Sequence, residues 1–272
     1  MYSKNLGVES ARLLTTLAGQ GQIIFTVDAA MQVYGKSYSA TVQTLRRLDR
    51  AGWLVRLNAG KYAIVPLEAG EEALPTANHL VIARELVDGV PYYISHDSAL
   101  EVHNMLTRPV TAVTVTTSRR LLNRVVLHVP YQFVIAKPEA LWGFAPIWVM
   151  PDEQVQVSDF ERTILDGLAR PDLCAGVSEV ATGLWMRKDD LDWDKLVAYA
   201  HRLNNRAAAR RLGYLLELYD LATESIRNGL RDMVGSNYAL LDPLLPAEGR
   251  RLARWRLRIN LNPENLKGIV ST

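Results

Sequence analysis

The N-terminal fold is decided by residues 36–54, KSYSATVQTLRRLDRAGWL. Val42, Leu45 and Leu48 recur at three-residue intervals, so they share one face of a predicted helix. Gly52 ends this helix, and a serine at its start is suited to cap it. The opposite face carries hydrogen-bonding and cationic side chains, namely Lys36, Ser39, Gln43, Arg47 and Arg50. A helix divided in this way packs on a core by one face and offers the other to a polar partner.

The flanking sequence predicts two further helices and a β-hairpin. Helices are predicted over residues 10–17 and 27–34, before the helix already described. Residues 53–57 and 61–65 read as two strands around the loop 58–60, Asn-Ala-Gly, which fits a three-residue hairpin. Three helices followed by a hairpin is the order of a winged helix-turn-helix, in which the last helix enters the major groove of DNA.

The charge of the chain is divided unevenly. Residues 1–66 hold eight Lys and Arg against three Asp and Glu, a formal charge of +5, whereas residues 67–272 hold 23 against 26, or −3. Such asymmetry favours a nucleic-acid-binding end. The alternative is a basic helical domain that binds protein. We predict double-stranded DNA as a partner, contacted by Lys36, Ser37, Ser39, Gln43, Arg46, Arg47 and Arg50 on the helix and by Arg56, Asn58 and Lys61 on the hairpin.

The overall composition is that of a globular protein. At 272 residues, with 49% hydrophobic and 22% charged residues, the chain is long enough for one large or two ordinary domains. No apolar run approaches the ~20 residues that span a bilayer, and residues 1–5 lack a signal-peptide core. Cys174 is the single cysteine, which excludes an internal disulfide. We therefore predict a cytoplasmic protein with no membrane partner.

The domain organisation follows from a change in pattern. Residues 68–78 are polar, with glycine and proline, and predict a linker between a winged helix-turn-helix at 1–67 and a larger domain at 79–272. In the larger domain, strand patterns between residues 92 and 157 precede helical patterns between residues 159 and 233. Strands followed by helices predict an α+β fold class, with a mixed α/β C-terminal domain.

Two possible catalytic patterns are explained more simply as structure. Ser95-His96-Asp97 holds the three triad residue types, but adjacent side chains point in different directions and cannot form a triad. His96 and His103 lie two helical turns apart, ~10.5 Å, which is too far for one metal ion. No complete phosphate-binding motif, GxGxxG or GxxxxGK[ST], is present. We predict no catalytic residue, no cofactor and no metal ligand.

An acidic segment at residues 158–166 leaves one enzymatic alternative. Ser158 and Glu161 fit a capping box, and Arg162 and Asp166 fit an ordinary helix salt bridge. The alternative is a winged-helix-targeted nuclease that uses Asp159 and Glu161 to hold Mg²⁺. Such a site usually has a lysine nearby, and none follows in the sequence. We therefore predict that the chain is not an enzyme, with the nuclease as the competing hypothesis.

A third basic feature lies near the C-terminus. Residues 254–261, RWRLRINL, alternate polar and apolar side chains as a strand does. In that strand Arg254, Arg256 and Arg258 would form a row with ~6.6 Å between neighbours. Two interpretations remain open: an edge strand protected by charge, or a second surface that contacts DNA or RNA.

Three segments of the larger domain resemble the AbiEi family of antitoxins. They are YISHDSALE at 93–101, DFERTILD at 159–166 and RRLGYLLE at 210–217. LRRL at 45–48 and GKY at 60–62 resemble the winged helix of the same family. The likeness follows the same order along nearly the whole chain, and it is weakest after about residue 235.

The resemblance implies a function that the residues alone do not give. It implies a transcriptional repressor encoded beside a nucleotidyltransferase-type toxin, with autoregulation through repeats in its own promoter. It also implies that the chain counters the toxin without requiring a stable complex with it. The oligomeric state and the operator sequence do not follow from the resemblance.

Overall fold

The computed structural model describes residues 6–65 and 78–269, which form a mixed α+β structure. Over these residues it has eleven α-helices and three sheets, which confirms the predicted class. In chain order the helices are α1 (Val8–Gly19), α2 (Val27–Tyr34), α3 (Tyr38–Arg50), α4 (His79–Val87), α5 (His96–Val102), α6 (Phe160–Ala169), α7 (Val177–Met186), α8 (Trp193–Leu203), α9 (Arg206–Leu218), α10 (Glu224–Arg231) and α11 (Pro263–Gly268).

Twelve strands make up the three sheets of the described chain. They are β1 (Ile24–Thr26), β2 (Leu54–Asn58), β3 (Lys61–Ile64), β4 (Tyr92–Ile94), β5 (Val113–Thr117), β6 (Arg124–Val126), β7 (Val129–Ile135), β8 (Phe144–Met150), β9 (Glu153–Ser158), β10 (Ala239–Leu240), β11 (Arg250–Leu252) and β12 (Leu257–Ile259). Their orders are β1-β3-β2, β6-β7-β5-β4-β9-β8 and β10-β12-β11. A helix fit to span a bilayer, which takes ~20 apolar residues, does not occur in the described part of the chain.

The chain divides into two compact units. The first unit is Met1–Val90 with Leu121–Tyr131 and Trp148–Val155, and the second is Pro91–Arg120, Gln132–Ile147 and Gln156–Thr272. The first unit thus continues past the boundary predicted at residue 67 and takes in α4. The predicted linker, residues 68–78, lies outside the described residues apart from Asn78.

The N-terminal part of the first unit places three helices against an antiparallel three-stranded sheet. α2 has the predicted bounds, because Thr26 accepts a hydrogen bond from the Ala29 amide at its start. The core of this part combines leucines of α1 and α3 with aromatic side chains of the sheet: Leu13, Leu14, Leu17, Leu45, Leu48, Phe25 and Tyr62. Of the predicted inner face of α3, Leu45 and Leu48 are buried, and Val42 is half-buried.

The hairpin turn is one residue shorter than the sequence predicts. Asn58 pairs directly with Lys61, so the turn consists of Ala59 and Gly60, with Gly60 in the left-handed region at φ 79°. The pairing register shifts between Arg56 and Asn58. Asn58, which the prediction assigned to the loop, is accommodated in β2 by this irregularity in the pairing.

The second unit is organised around α6. Eight residues of this helix are buried, including the charged Glu161, Arg162 and Asp166. α6 contacts α5, α7, α8 and α9, so it has packed neighbours on several sides. In the sheet, β4 pairs antiparallel with β5 and parallel with β9.

The strand predicted at residues 254–261 is confirmed only over β12, Leu257–Ile259, and is wrong at residues 254–256. Residues 253–256 form a turn between β11 and β12, with Arg256 in the left-handed region at φ 47°. β12 is the central strand of its sheet, so the edge-strand interpretation is also wrong. The alternation of polar and apolar residues suggested a strand because Trp255 is fully buried, as an inward-facing strand residue would be, although it lies in the turn.

The three arginines of that segment consequently do not form a row. Arg254 pairs with Glu217 at 2.7 Å, whereas Arg258 donates to the carbonyl of Ala247. The guanidinium of Arg256 lies 5.4 Å from the centre of the Tyr238 ring. Each side chain therefore has a different environment.

Candidate nucleic-acid interface

The start of α3 is fixed by a short connection from α2. Gly35 adopts the left-handed region at φ 66°, a conformation that glycine adopts without steric cost, and it ends α2. Ser37 then caps α3, because its side chain accepts a hydrogen bond from the Ala40 amide. This confirms the prediction that a serine caps the start of the helix.

The outer face of α3 is polar, cationic and exposed. The exposed residues are Tyr38, Ser39, Gln43, Arg46, Arg47 and Arg50. Together with Val42 and Thr44 they line a surface concavity of about 850 Å³. The structure therefore brings Ser39, Gln43, Arg46, Arg47 and Arg50 together as the sequence predicts. Tyr38, which is 58% exposed, also lies on this face and was not among the predicted residues.

The cations around α3 differ in what they already contact. Arg46 and Arg50 have no hydrogen-bond or ion-pair partner among the described residues. Arg47 donates to the Ser10 hydroxyl at 3.1 Å. Lys36 pairs with Glu9 at 2.6 Å, and this hydrogen bond raises the pKa of Lys36 and lowers the pKa of Glu9. Arg46 and Arg50 are thus the cations that a ligand reaches without displacing an internal contact.

The hairpin residues have contacts that the sequence did not indicate. The Asn58 amide donates to the Glu85 carbonyl at 2.7 Å and to the Asp88 carboxylate at 3.1 Å. Lys61 forms an ion pair with the Glu85 carboxylate. The prediction assigned both side chains to DNA, but α4, which follows the predicted linker, holds them. Arg56 alone of the three is exposed, although its Nε donates to the Asn58 carbonyl.

Arg124 braces the same hairpin and was not singled out from the sequence. Its guanidinium donates to the carbonyls of Arg56 at 2.9 Å and Leu57 at 2.8 Å. Nothing in the local sequence marks this residue, because its partners lie more than sixty positions away. The hairpin is therefore held by contacts from α4 and from β6.

The acidic segment at residues 158–166 is built differently from a capping box. Asp159, not Ser158, caps α6 by accepting from the Arg162 amide at 2.9 Å. Glu161 accepts from the Asp192 amide at 2.9 Å and pairs with Lys195 at 2.7 Å. The capping-box prediction is wrong because β9 extends through Ser158 and moves the start of the helix by one residue.

Lys195 is the lysine that the sequence did not place near Asp159 and Glu161. Its Nζ lies 3.2 Å from Asp159 and 2.7 Å from Glu161, and these carboxylates raise the pKa of Lys195 against the effect of burial. Asp159 also accepts from the Tyr199 hydroxyl at 3.1 Å. Both carboxylates thus have internal partners. Over residues 6–65 and 78–269, no group of three or more His, Cys, Asp or Glu could hold a metal ion.

The predicted pair of Arg162 and Asp166 is confirmed, but it is buried instead of lying on the surface. Arg162 Nε donates to Asp166 at 2.8 Å, with side-chain exposures of 3% and 7%. The Tyr93 hydroxyl donates to Asp166 at 2.9 Å and accepts from Arg162 at 2.8 Å. Arg162 also donates to the carbonyls of Ala140 and Trp142. The network satisfies its buried charges internally, as a structural role requires.

His96 and His103 have separate contacts within the protein. His96 is buried at the start of α5, with φ 54°, and its Nδ1 shares a 2.8 Å hydrogen bond with Ser95. His103 Nε2 contacts the Ser158 carbonyl. Burial is the main cause that lowers the pKa of both imidazoles. Both histidines are consequently structural and neutral near pH 7.

These histidines predict a loss of stability in mild acid. A folded-state pKa below the usual value of about 6.5 means that the unfolded chain binds more protons as the pH falls. The free energy of unfolding should therefore decrease between about pH 7 and pH 5, by up to about 1.4 kcal/mol per pH unit for each histidine. Urea unfolding at several pH values across this range measures the free energy of unfolding.

A single substitution isolates the contribution of His96. In His96→Asn, asparagine accepts the left-handed backbone and does not titrate, so the decline in stability should be shallower. His128→Asn, at an exposed position that is also left-handed at φ 64°, is the matched control for the change of residue type. If His96→Asn and the wild type lose stability in parallel, the assignment to His96 is wrong.

Comparison with known proteins gives a fold but no family. No family model matches the sequence, and no curated protein sequence matches it. Among solved structures, the crystal structure of the RV2827C protein from Mycobacterium tuberculosis is similar, with a TM-score of 0.66 and 16% identity. The alignment covers 99% of this chain and 97% of that chain. At this identity the likeness concerns the fold alone, over essentially the full length of both chains.

Proposed function

We propose that the chain is a transcriptional repressor that binds double-stranded DNA through α3, as the recognition helix of a winged helix-turn-helix. One observation carries this proposal: α3 exposes Arg46 and Arg50, two cations without a partner in the part of the chain that the structure describes, beside Ser39 and Gln43. The two arginines lie four residues apart and therefore on one side of the helix. A DNA backbone supplies the negative charge that this face lacks.

The side chains on α3 suit the major groove in kind and in spacing. Positions 39, 43, 46 and 50 follow one another at intervals of four, three and four, so they form one stripe along the helix. α3 has 13 residues, a length of roughly 20 Å, and the major groove is about 12 Å wide. Arginine pairs with guanine and glutamine with adenine in that groove. The side chains of this stripe therefore suit contacts with both the base edges and the phosphates of DNA.

The hairpin has a supporting role in this proposal. Asn58 and Lys61 hold it against α4, and Arg124 holds its backbone, so it docks as a fixed element. Arg56, which is exposed, is the hairpin side chain that we assign to a phosphate. A wing that is already ordered loses less conformational entropy on binding.

The resemblance to AbiEi antitoxins extends the proposal to a toxin–antitoxin operon. We propose a cytoplasmic antitoxin that represses its own promoter and counters a nucleotidyltransferase toxin without a stable complex. Of the motif residues that carry the resemblance, Tyr93, Arg162, Asp166 and Arg211 are buried and hydrogen-bonded. They hold the second unit together, and its surface is left to act on the toxin pathway.

DNase footprinting on the DNA upstream of the chain's own gene tests the repressor proposal. We expect protection of repeated sequences there at a protein concentration at least about 1,000-fold below that needed on unrelated DNA. Uniform, sequence-independent protection would contradict a repressor. Incubating the same DNA with the protein and Mg²⁺, without DNase, tests the nuclease alternative, which requires cleavage that Asp159→Ala abolishes in a folded protein.

A further inference from the structure

Four arginines of the second unit converge on the loop at residues 235–238; we call them the arginine cluster, Arg206, Arg210, Arg251 and Arg256. A methyl group placed on Gly235 would lie 3.1 Å from Arg206 Nη1 and 3.2 Å from Arg210 Nη2. The guanidinium groups of Arg251 and Arg256 each lie 5.4 Å from the centre of the Tyr238 ring. One short loop therefore collects side chains from α9, from β11 and from the turn before β12.

The arginine cluster lacks acidic partners. Within the described part of the chain, none of its four guanidinium groups forms an ion pair with Asp or Glu. Arg254, two residues before Arg256, shows the contrast, because it pairs with Glu217 at 2.7 Å. The four arginines therefore form a local excess of positive charge.

Arg210 forms the buried floor of the cluster. It is 5% exposed, and its Nη1 donates to the Asn237 carbonyl at 2.7 Å. Its Nε is buried without a hydrogen-bond partner. Burial, and then the charges of Arg206 and Arg256, lower the pKa of Arg210. A buried donor left unpaired beside like charges is unfavourable unless an anion compensates it.

We propose that the arginine cluster binds a phosphate group. Guanidinium groups present planar, paired donors that match phosphate oxygens. Gly235 allows the guanidinium groups of Arg206 and Arg210 to lie side by side against the loop, in the space that a larger side chain would fill. Arg206, Arg251 and Arg256 are exposed and give access to the buried Arg210. None of its residues belongs to α3, so the site goes beyond the proposed function.

Calorimetric titration of the full chain with inorganic phosphate at low ionic strength tests the proposal. We expect saturable binding, weakened at least about tenfold in the double variant Arg206→Gln/Arg256→Gln by the loss of charge-assisted hydrogen bonds. Both side chains are exposed, so we expect the fold to be retained, and far-UV circular dichroism checks this. Arg254→Gln is the matched control and should bind as the wild type does. Absent binding, or equal binding by the double variant, would overturn the proposal.

The phosphate has two sources, a small molecule in solution or a nucleic-acid backbone. Duplex DNA binding is therefore measured in a chain whose α3 is disabled by Arg46→Gln and Arg50→Gln. A further loss of affinity on adding Arg206→Gln and Arg256→Gln identifies the backbone as the source. If DNA affinity stays unchanged while phosphate binding is lost, the source is a small molecule. Since the phosphate titration does not involve α3, it stands or fails independently of the proposed repressor.

Discussion

Replacing Gly213 by alanine is expected to destabilise the chain by about 3 kcal/mol, at the upper end of overpacking effects. The added methyl group would lie 2.2 Å from Cζ3 and 2.3 Å from Cη2 of Trp255, which is fully buried. The Trp255 indole also donates to Glu217, so its ring has little freedom to move away. Elsewhere in a helix the same change usually stabilises, by up to about 1 kcal/mol. A loss of stability instead of a gain would therefore indicate the close contact between Gly213 and Trp255.

Urea unfolding, followed by far-UV circular dichroism, measures this effect. Gly268→Ala is the control, because this helical glycine has nothing within 4 Å of its added methyl group. It should leave stability unchanged or slightly raised. Adding Trp255→Leu to Gly213→Ala should cost less than the two separate losses combined, because the smaller side chain relieves the clash. A Gly213→Ala chain as stable as the wild type would show that Trp255 does not pack against α9.

The elements that the sequence predicts well depend on local chemistry. The bounds of α2 follow from Thr26 as a cap and Gly35 in the left-handed region, both within two residues of the helix. The separation of α3 into a buried and an exposed face follows from its 3.6-residue period, which places Leu45 inward and Arg46 outward. These features need no knowledge of the rest of the chain, and the structure confirms them.

The features that were missed depend on contacts between distant segments. Asn58 and Lys61 contact α4, which follows a stretch with no periodic pattern. Trp255 lies in a turn, and its indole packs against Gly213, about forty residues earlier. This apolar residue gives the turn the alternation of polar and apolar side chains that is typical of a strand. Lys195 reaches Glu161 only because α8 packs beside α6. A single sequence carries no signal for such pairings, since either partner alone is compatible with many neighbours.

The double variant Arg46→Gln/Arg50→Gln is expected to lose about 100-fold in affinity for its upstream DNA, since each lost arginine contact is worth about 1–3 kcal/mol. Neither arginine has an internal partner among the described residues, so the loss should come from the bound state, with the free energy of unfolding nearly unchanged. Arg12→Gln/Arg202→Gln removes the same charge from exposed positions outside α3. It should bind within a few-fold of the wild type.

The salt dependence of DNA binding tests the role of α3 most directly. Fluorescence anisotropy gives the dissociation constant of a labelled operator duplex at several salt concentrations, for the wild type and both double variants. If α3 docks on DNA as proposed, Arg46→Gln/Arg50→Gln weakens binding about 100-fold and makes the slope of log K against log salt shallower by up to about 2. An unchanged dissociation constant and an unchanged slope in that variant would contradict the proposal that α3 is the DNA-binding helix.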